Sequence, residues 1–455
     1  MAAPGFWPPV AARLARLGRL LRLRTRSGRL AFSLIAIIVG LAGGGLAILF
    51  QQLVAGFQKL FFGHAGASLA EYAAGLPWWA VLLPPVLGGC AVAVILRWLV
   101  PDGRPHGPLD LIDGQAIRPA RDGACYGLGA GLASAVTLGS GGSAGQEGPI
   151  VHLAGSLAGV VASHMRLRPA SGRLLLGCGA AAAIAAAFNA PFAGVFFALE
   201  VITLNYALAG IAPVVISSVT GAVLSRVWHG DTPAFDVPVR EIASMWEFPA
   251  FVLLGVLAGL AAAALIRAVD LTQRGMIRCR FPRGLRPPLA GLLVGMIALV
   301  YPQVLGVGYG VTGSVLLGGL PLSLCLMLLA AKFTATAITL GGGFGGGIFS
   351  PSLLIGALLG AAFGAVAPLL LPVPVFSGQG AYAVIGMGAL TGAVLGAPVS
   401  TVLMVFELTA DSRLMVAVLV ATMVAVQVCD RVAGHSFFGW QRAQRAAMSP
   451  PGPSG

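Results

Sequence analysis

The chain has 455 residues, of which 57% are hydrophobic and only 9% charged, and its mean hydropathy is +0.91. Soluble domains carry roughly 25% charged residues, so most of this surface must face lipid, which excludes a cytosolic enzyme and a disulfide scaffold. The net charge of +13 does not point to nucleic acid, because the arginines fill short gaps between apolar runs and no basic face alternates with stacking aromatics.

In chain order, Arg13, Arg16, Arg19, Arg22, Arg24, Arg26 and Arg29 come first, at spacings that predict an amphipathic helix on the membrane surface. No cleavable signal peptide follows, so the N-terminus is expected in the cytoplasm. Apolar stretches then run over Leu30–Phe50, Trp78–Val100, Ala124–Leu138, Leu174–Phe188, Pro191–Thr203 and Leu208–Val227. After a connection containing Asp231, Asp236, Glu241 and Glu247 against Arg240, they resume at Pro249–Ile266, Pro288–Val300 and Leu322–Leu340. The last are Pro351–Leu371, Ala381–Leu395, Pro398–Leu408 and Leu414–Val428. Several are shorter than the ~20 residues of a full span and carry Gly or Pro, which predicts re-entrant or broken helices around a protein-buried cavity. The fold expected is an all-α integral membrane protein. Trp78, Trp79, Trp98, Trp228 and Trp246 suit interfacial anchors. The six cysteines show no metal-ligand or disulfide spacing.

An internal repeat organises these stretches. Gly145-Gln146-Glu147-Gly148-Pro149 and Gly347-Ile348-Phe349-Ser350-Pro351 are both G-x-x-x-P opening an apolar run. Gly179 lies twelve residues before Pro191 and Glu200 nine after it; Gly386, Pro398 and Glu407 repeat that spacing about 200 residues later. The acidic connection reads as outside and the cluster from Arg267 to Arg286 as inside, so the two halves are expected to be inverted. The expected divisions are a cytoplasmic segment 1–29, a first repeat 30–229, an extracytoplasmic linker 230–247, a second repeat 248–432 and a cytoplasmic segment 433–455 without an appended regulatory domain. Both termini then lie on the cytoplasmic side of the inner (plasma) membrane.

The chemistry follows from the two repeated helix starts. A half-helix ending mid-membrane directs unpaired N–H groups and roughly half a positive charge into the gap. Glycine allows close backbone approach, and proline suits a first turn. Two such ends meeting at one point form an anion site without a basic side chain. Glu147 stands at the first of them, where a carboxylate at membrane depth costs roughly 2.5–3.5 kcal/mol, which marks it as functional. It can occupy the anion's place and leave when protonated, so it is the expected gate.

These motifs, with Ala187–Pro191, resemble those of the CLC chloride channels and transporters, over about Leu30 to Phe438. Arg104-Pro105-His106-Gly107-Pro108 is similar to the bacterial voltage-gated ClC-type channel branch. The resemblance implies a homodimer, with one anion path per subunit, that carries chloride or a similar monovalent anion across the bilayer. No cofactor and no nucleic-acid partner are implied. The amides of Ile348 and Phe349 would bind the anion, with Gly145, Gln146, Gly148, Gly347 and Ser350 in the surrounding cradle. Two hydroxyl ligands of the family are missing: Pro105 stands at the serine of the first selectivity motif and Phe438 at the late tyrosine, with Ser436 a local substitute. Where many exchangers carry paired glutamates for protons, this chain has Glu200 followed by Val201. That favours passive conduction over proton-coupled antiport.

Three other readings compete. Gly141–Gly145 fits the G-x-S-x-G nucleophile elbow but lacks a strand-to-helix context. An intramembrane serine protease could use Ser143 with His152 or His164, but it leaves the duplicated helix starts unexplained. A sodium-coupled organic-solute transporter would need more acidic or hydroxyl ligands than Glu147, Glu200 and Glu407 provide. Glu407 is expected to close local hydrogen bonds at Thr409-Ala410-Asp411.

Overall fold

The computed structural model of the chain describes residues 28–114, 120–206, 208–231, 234–235, 242–370 and 376–448. The expected surface helix over 1–29 falls outside these apart from its last two residues, and so do Asp236, Arg240 and Glu241 of the linker. Among the described residues the regular elements are helical, and an isolated antiparallel bridge joins Gly145 to Gly347. Nine helices among the described residues are long and apolar enough to cross a membrane.

The first half comprises α1 (Gly28–Phe62), α2 (Leu69–Ala74), α3 (Trp78–Leu99), α4 (Pro108–Ile112), α5 (Ala120–Gly139), α6 (Glu147–His164), α7 (Pro169–Phe188), α8 (Pro191–Phe197) and α9 (Leu208–His229). The second comprises α10 (Phe248–Arg278), α11 (Arg286–Val300), α12 (Tyr309–Leu317), α13 (Leu322–Gly341), α14 (Phe349–Leu370), α15 (Gln379–Leu395), α16 (Pro398–Thr409), α17 (Met415–Ala433) and α18 (Phe437–Met448). Several helices outrun their apolar stretches. α1 continues from Phe50 to Phe62 and α10 from Ile266 to Arg278, because Gln, Lys and Arg lower hydropathy without opposing helicity. α6 is expected only from its start at Gly145–Pro149, since polar His152, Ser156 and His164 dilute its apolar run, and α12, only nine residues long, has no counterpart among the expected stretches.

The repeat is visible in local geometry. α7 ends on Asn189 and α15 on Gly396, both in the left-handed conformation (φ 55° and 68°) that closes a helix C-terminus. Ala190-Pro191 and Ala397-Pro398 then start α8 and α16 with proline in the first turn. The repeated glycines are crossing points. A Cβ on Gly179 would lie 2.6 Å from the Ala154 carbonyl of α6, and one on Gly386 would lie 2.5 Å from the Gly356 carbonyl of α14. Membrane helices gain little from apolar burial against each other, so small residues that bring backbones together supply the packing.

The two halves also cap each other. Glu200, just beyond α8, accepts hydrogen bonds from the amides of Val399 and Ser400 at the start of α16 (3.2 and 2.8 Å). Glu407 of α16 accepts from the amides of Phe192 and Ala193 at the start of α8 (2.9 and 2.7 Å). Glu407 therefore does not serve the turn at Thr409-Ala410-Asp411, the place expected from sequence. A carboxylate at a helix N-terminus meets both unpaired amides and the positive end of the helix dipole, and the opposite repeat offers that better than a local turn.

The linker reading also changes at Glu247. It is fully buried and accepts hydrogen bonds from the hydroxyls of Tyr382 and Ser377 (both 2.8 Å), so it does not belong in a count of exposed acids. The five tryptophans expected as anchors are all more than half exposed.

Candidate functional site

The two G-x-x-x-P segments meet. Gly145 N–H donates to the Gly347 carbonyl at 2.6 Å, and Gly347 N–H returns the bond to Gly145 at 2.7 Å. The contact is tight for any larger residue: a Cβ on Gly145 would stand 3.0 Å from Ser350 N, and one on Gly347 would stand 3.0 Å from Gly148 N. The bridge puts the starts of α6 and α14 side by side. It also corrects the expected cradle, since the amides of Gly145 and Gly347 are used on each other and are not free for an anion. The amides of Gly148, Ile348 and Phe349 make no backbone hydrogen bond and remain as donors.

Glu147 fills the junction. It is 2% exposed, and its carboxylate accepts from the Ser350 hydroxyl, from the Ser350 amide at 3.3 Å and from the Tyr309 hydroxyl at 2.7 Å. A side chain from the first repeat thus sits on the helix start of the second, where an anion would sit. Ser350 uses both donors on Glu147. Gln146 donates its side-chain amide to Tyr309 at 3.4 Å, so it supports the tyrosine and not the cradle directly.

Tyr309 is a site residue that the sequence did not announce. It follows Gly308, whose φ of 90° turns the chain into α12, and it packs against Phe188 and Phe235. No spacing relates it to the repeat, and a lone tyrosine in an apolar segment carries no signal of its own. Replacing it tests the closed arrangement. Tyr309→Phe removes one hydrogen bond to a charged group, worth about 1.5–3 kcal/mol. Anion flux at neutral pH is therefore expected to rise about tenfold in liposomes, and an unchanged or reduced flux would count against Tyr309 as a latch.

A cavity of about 590 Å³ leads to this junction, with Glu147, Gly148, Gly347, Ile348 and Phe349 at its inner end. Pro105 and Phe438 line it too, without a hydroxyl, while Ser436 accepts a bond from Gly439 N–H at the start of α18. Arg97, Arg104, Arg283, Arg286 and Arg445 also line it, against Asp102 and Glu147, so its field attracts anions. At its wall, His106 donates to Asp102 at 2.9 Å and to Asp110 at 3.0 Å. Burial opposes a charge on this imidazole, but the two carboxylates raise its pKa to about 9. The same bond draws the Asp110 carboxyl well below the ordinary carboxylate range, despite burial.

Residues 124–430 match the voltage gated chloride channel family. This chain belongs to that family. A ClcB-like chloride channel protein of Ralstonia nicotianae is 35% identical over 395 residues, covering 85% of this chain and 91% of the relative. The voltage-gated ClC-type chloride channel ClcB of Escherichia coli is 30% identical over 419 residues, covering 91% and 99%. The fold is the CLC fold. A slow cyanobacterial Cl⁻/H⁺ antiporter superposes with a TM-score of 0.79 at 24% identity over 92% of this chain and 98% of that one. A eukaryotic CLC transporter gives 0.74 at 20% identity over 94% and 75%.

Membership in a CLC transport family removes the enzyme readings, and the geometry agrees. Ser143 shares its hydroxyl with Thr336 at 3.1 Å and has no histidine partner among the described residues. His164 bonds the Val160 carbonyl one turn back in its own helix. Val201 is buried in a π-turn over Ala198–Thr203, beside the capping Glu200, and does not line the cavity.

Proposed function

We propose that this protein conducts chloride, or a similar monovalent anion, passively through a path closed by Glu147. The observation that carries the reading is the Glu147 carboxylate seated on the amide of Ser350, next to the free amides of Ile348 and Phe349. An anion held by backbone dipoles and no fixed cation binds without being trapped, which conduction requires. Pro105 and Phe438 offer no hydroxyl to the anion, so the amides carry its coordination. In this reading the path serves each subunit of a homodimer with both termini in the cytoplasm, and the arginines lining the cavity support placing it on that side by the positive-inside rule.

Val201 supports conduction without proton exchange, since valine carries no proton and Glu200 is engaged at the start of α16. One observation favours the rival, a proton-coupled antiporter: Glu147 is a carboxyl group at depth, with hydroxyls of Tyr309 and Ser350 at hand. Chloride efflux from liposomes with simultaneous recording of internal pH separates the two. Efflux without linked proton movement is the expected result, and a fixed proton-to-chloride ratio would establish the antiporter. Val201→Glu is expected to add proton movement to the anion flux. Sodium-driven uptake of an organic solute without anion flux would overturn both.

A further inference from the structure

We propose that His106, Asp110 and His152 form a binding site for one divalent transition-metal cation of the zinc class, in the wall of the anion cavity. Three elements bring the residues together: the loop before α4, α4 itself, and the middle of α6. One ligating atom from each lies within 4.8 Å of the others. Two imidazoles and a carboxylate are the donor set that zinc, cobalt and nickel take in preference to magnesium or calcium.

His152 is the observation that asks for a ligand. It is 2% exposed, and its ring approaches the Gly107 backbone without reaching ordinary hydrogen-bond geometry, so at least one ring nitrogen has no partner. A buried imidazole nitrogen without a partner costs about 1–3 kcal/mol, and such orphans are rare in native interiors. Its ring lies nearly parallel to that of His106, at 18°, with centroids 5.7 Å apart. The two rings therefore lie in nearly parallel planes, with one nitrogen of each within 4.8 Å of the other and of an Asp110 oxygen.

The neighbouring groups already have the arrangement a metal-bound histidine needs. Asp102 accepts from Nε2 of His106, which turns Nδ1 toward Asp110 Oδ2. Metal-ligating histidines ordinarily give their second N–H to a carboxylate in this way, which fixes ring orientation. Arg445 pairs with Oδ1 of Asp110 at 2.8 Å, while Oδ2 accepts from the Gly107 amide at 3.0 Å and from His106, whose proton the ion would replace. Binding puts the cation where the Nδ1 proton of His106 lies. Metal–ligand bonds of 2.0–2.1 Å at tetrahedral angles place ligand atoms about 3.3 Å apart. The widest separation must then close by more than an ångström, a side-chain adjustment for a residue in a loop. Arg445 opposes the added charge, and Asp102 and Asp110 offset it. His106 lines the cavity, which supplies the entry path, and a water completes the coordination.

The test uses full-length, tag-free protein in detergent, with Zn²⁺ measured by equilibrium dialysis and Co²⁺ by its visible absorption. Wild type is expected to bind one ion per chain through this site, with the absorption of a low-symmetry, four-coordinate Co²⁺ centre. His106→Gln is expected to abolish both signals, and elution as a single species verifies its fold. Asp102→Asn, which alters only the orienting group, is expected to weaken binding about 10–100-fold. His152→Gln should behave as His106→Gln does, and elution as a single species verifies its fold. Equal Zn²⁺ uptake by wild type and His106→Gln, or no uptake by wild type, would overturn the proposal. Anion flux is not the readout, so failure here leaves the proposed conduction untouched.

Discussion

Glu147→Ala is expected to raise resting anion flux in liposomes at least tenfold at neutral pH and to flatten its response to acid. The carboxylate is held by the hydroxyls of Tyr309 and Ser350 and by the Ser350 amide. Each hydrogen bond to a charged group contributes about 1.5–3 kcal/mol, so the closed arrangement outweighs its absence by more than one factor of ten. Protonation removes the charge that seats the side chain on the start of α14. In wild type, flux should therefore rise as pH falls. Alanine removes both the plug and the titrating group, leaving a high, level flux. Glu147→Gln keeps the shape without the charge and should lie between them, also without pH response. A variant that retained the wild-type pH profile would show that another group gates the path.

Gly386→Leu is expected to damage the fold severely. Gly386 of α15 packs against Gly360 and Gly356 of α14, where a Cβ would stand 2.7 Å from Gly360 Cα and 2.5 Å from the Gly356 carbonyl. Both neighbours are backbone, so neither can rotate away. Overpacking a filled interior costs about 1–3 kcal/mol where side chains can yield, and here the helices themselves must separate. α14 carries Phe349 and Ser350 at its start, so a shift of α15 against it also misplaces the anion donors. The thermal transition in detergent should fall by several degrees, with anion flux lost in step. A stable, fully active Gly386→Leu protein would refute the crossing as a determinant of the site. Gly179→Leu should follow the same pattern, because Gly179 meets the α6 backbone in the corresponding way.

The site was legible to different depths at different residues. Glu147, Ile348 and Phe349 could be read because each sits in a repeated G-x-x-x-P segment, and duplication gives a short motif specificity that one copy lacks. Tyr309 could not, because a hydroxyl that reaches Glu147 from α12 leaves no periodicity. Gly145 and Gly347 were assigned to the right place with the wrong use: their spacing shows a close backbone approach, but not that the approach is to each other. Glu407 went wrong for a related reason. Its partners lie more than 200 residues away, and only local partners can be read from spacing.

Composition alone determined that this chain lives in lipid, since 9% charged residues cannot clothe a water-facing surface. The repeated proline and glycine positions determined that it has two halves with broken helices, because those residues act on the backbone they occupy. What the halves do to each other was decided only in three dimensions. Glu200 and Glu407 cross to the opposite repeat, Glu147 closes on Ser350, and His106 comes to face His152. Hydrogen bonds and dipoles act over a few ångströms of space regardless of separation along the chain, so the packed helices alone select which charges meet.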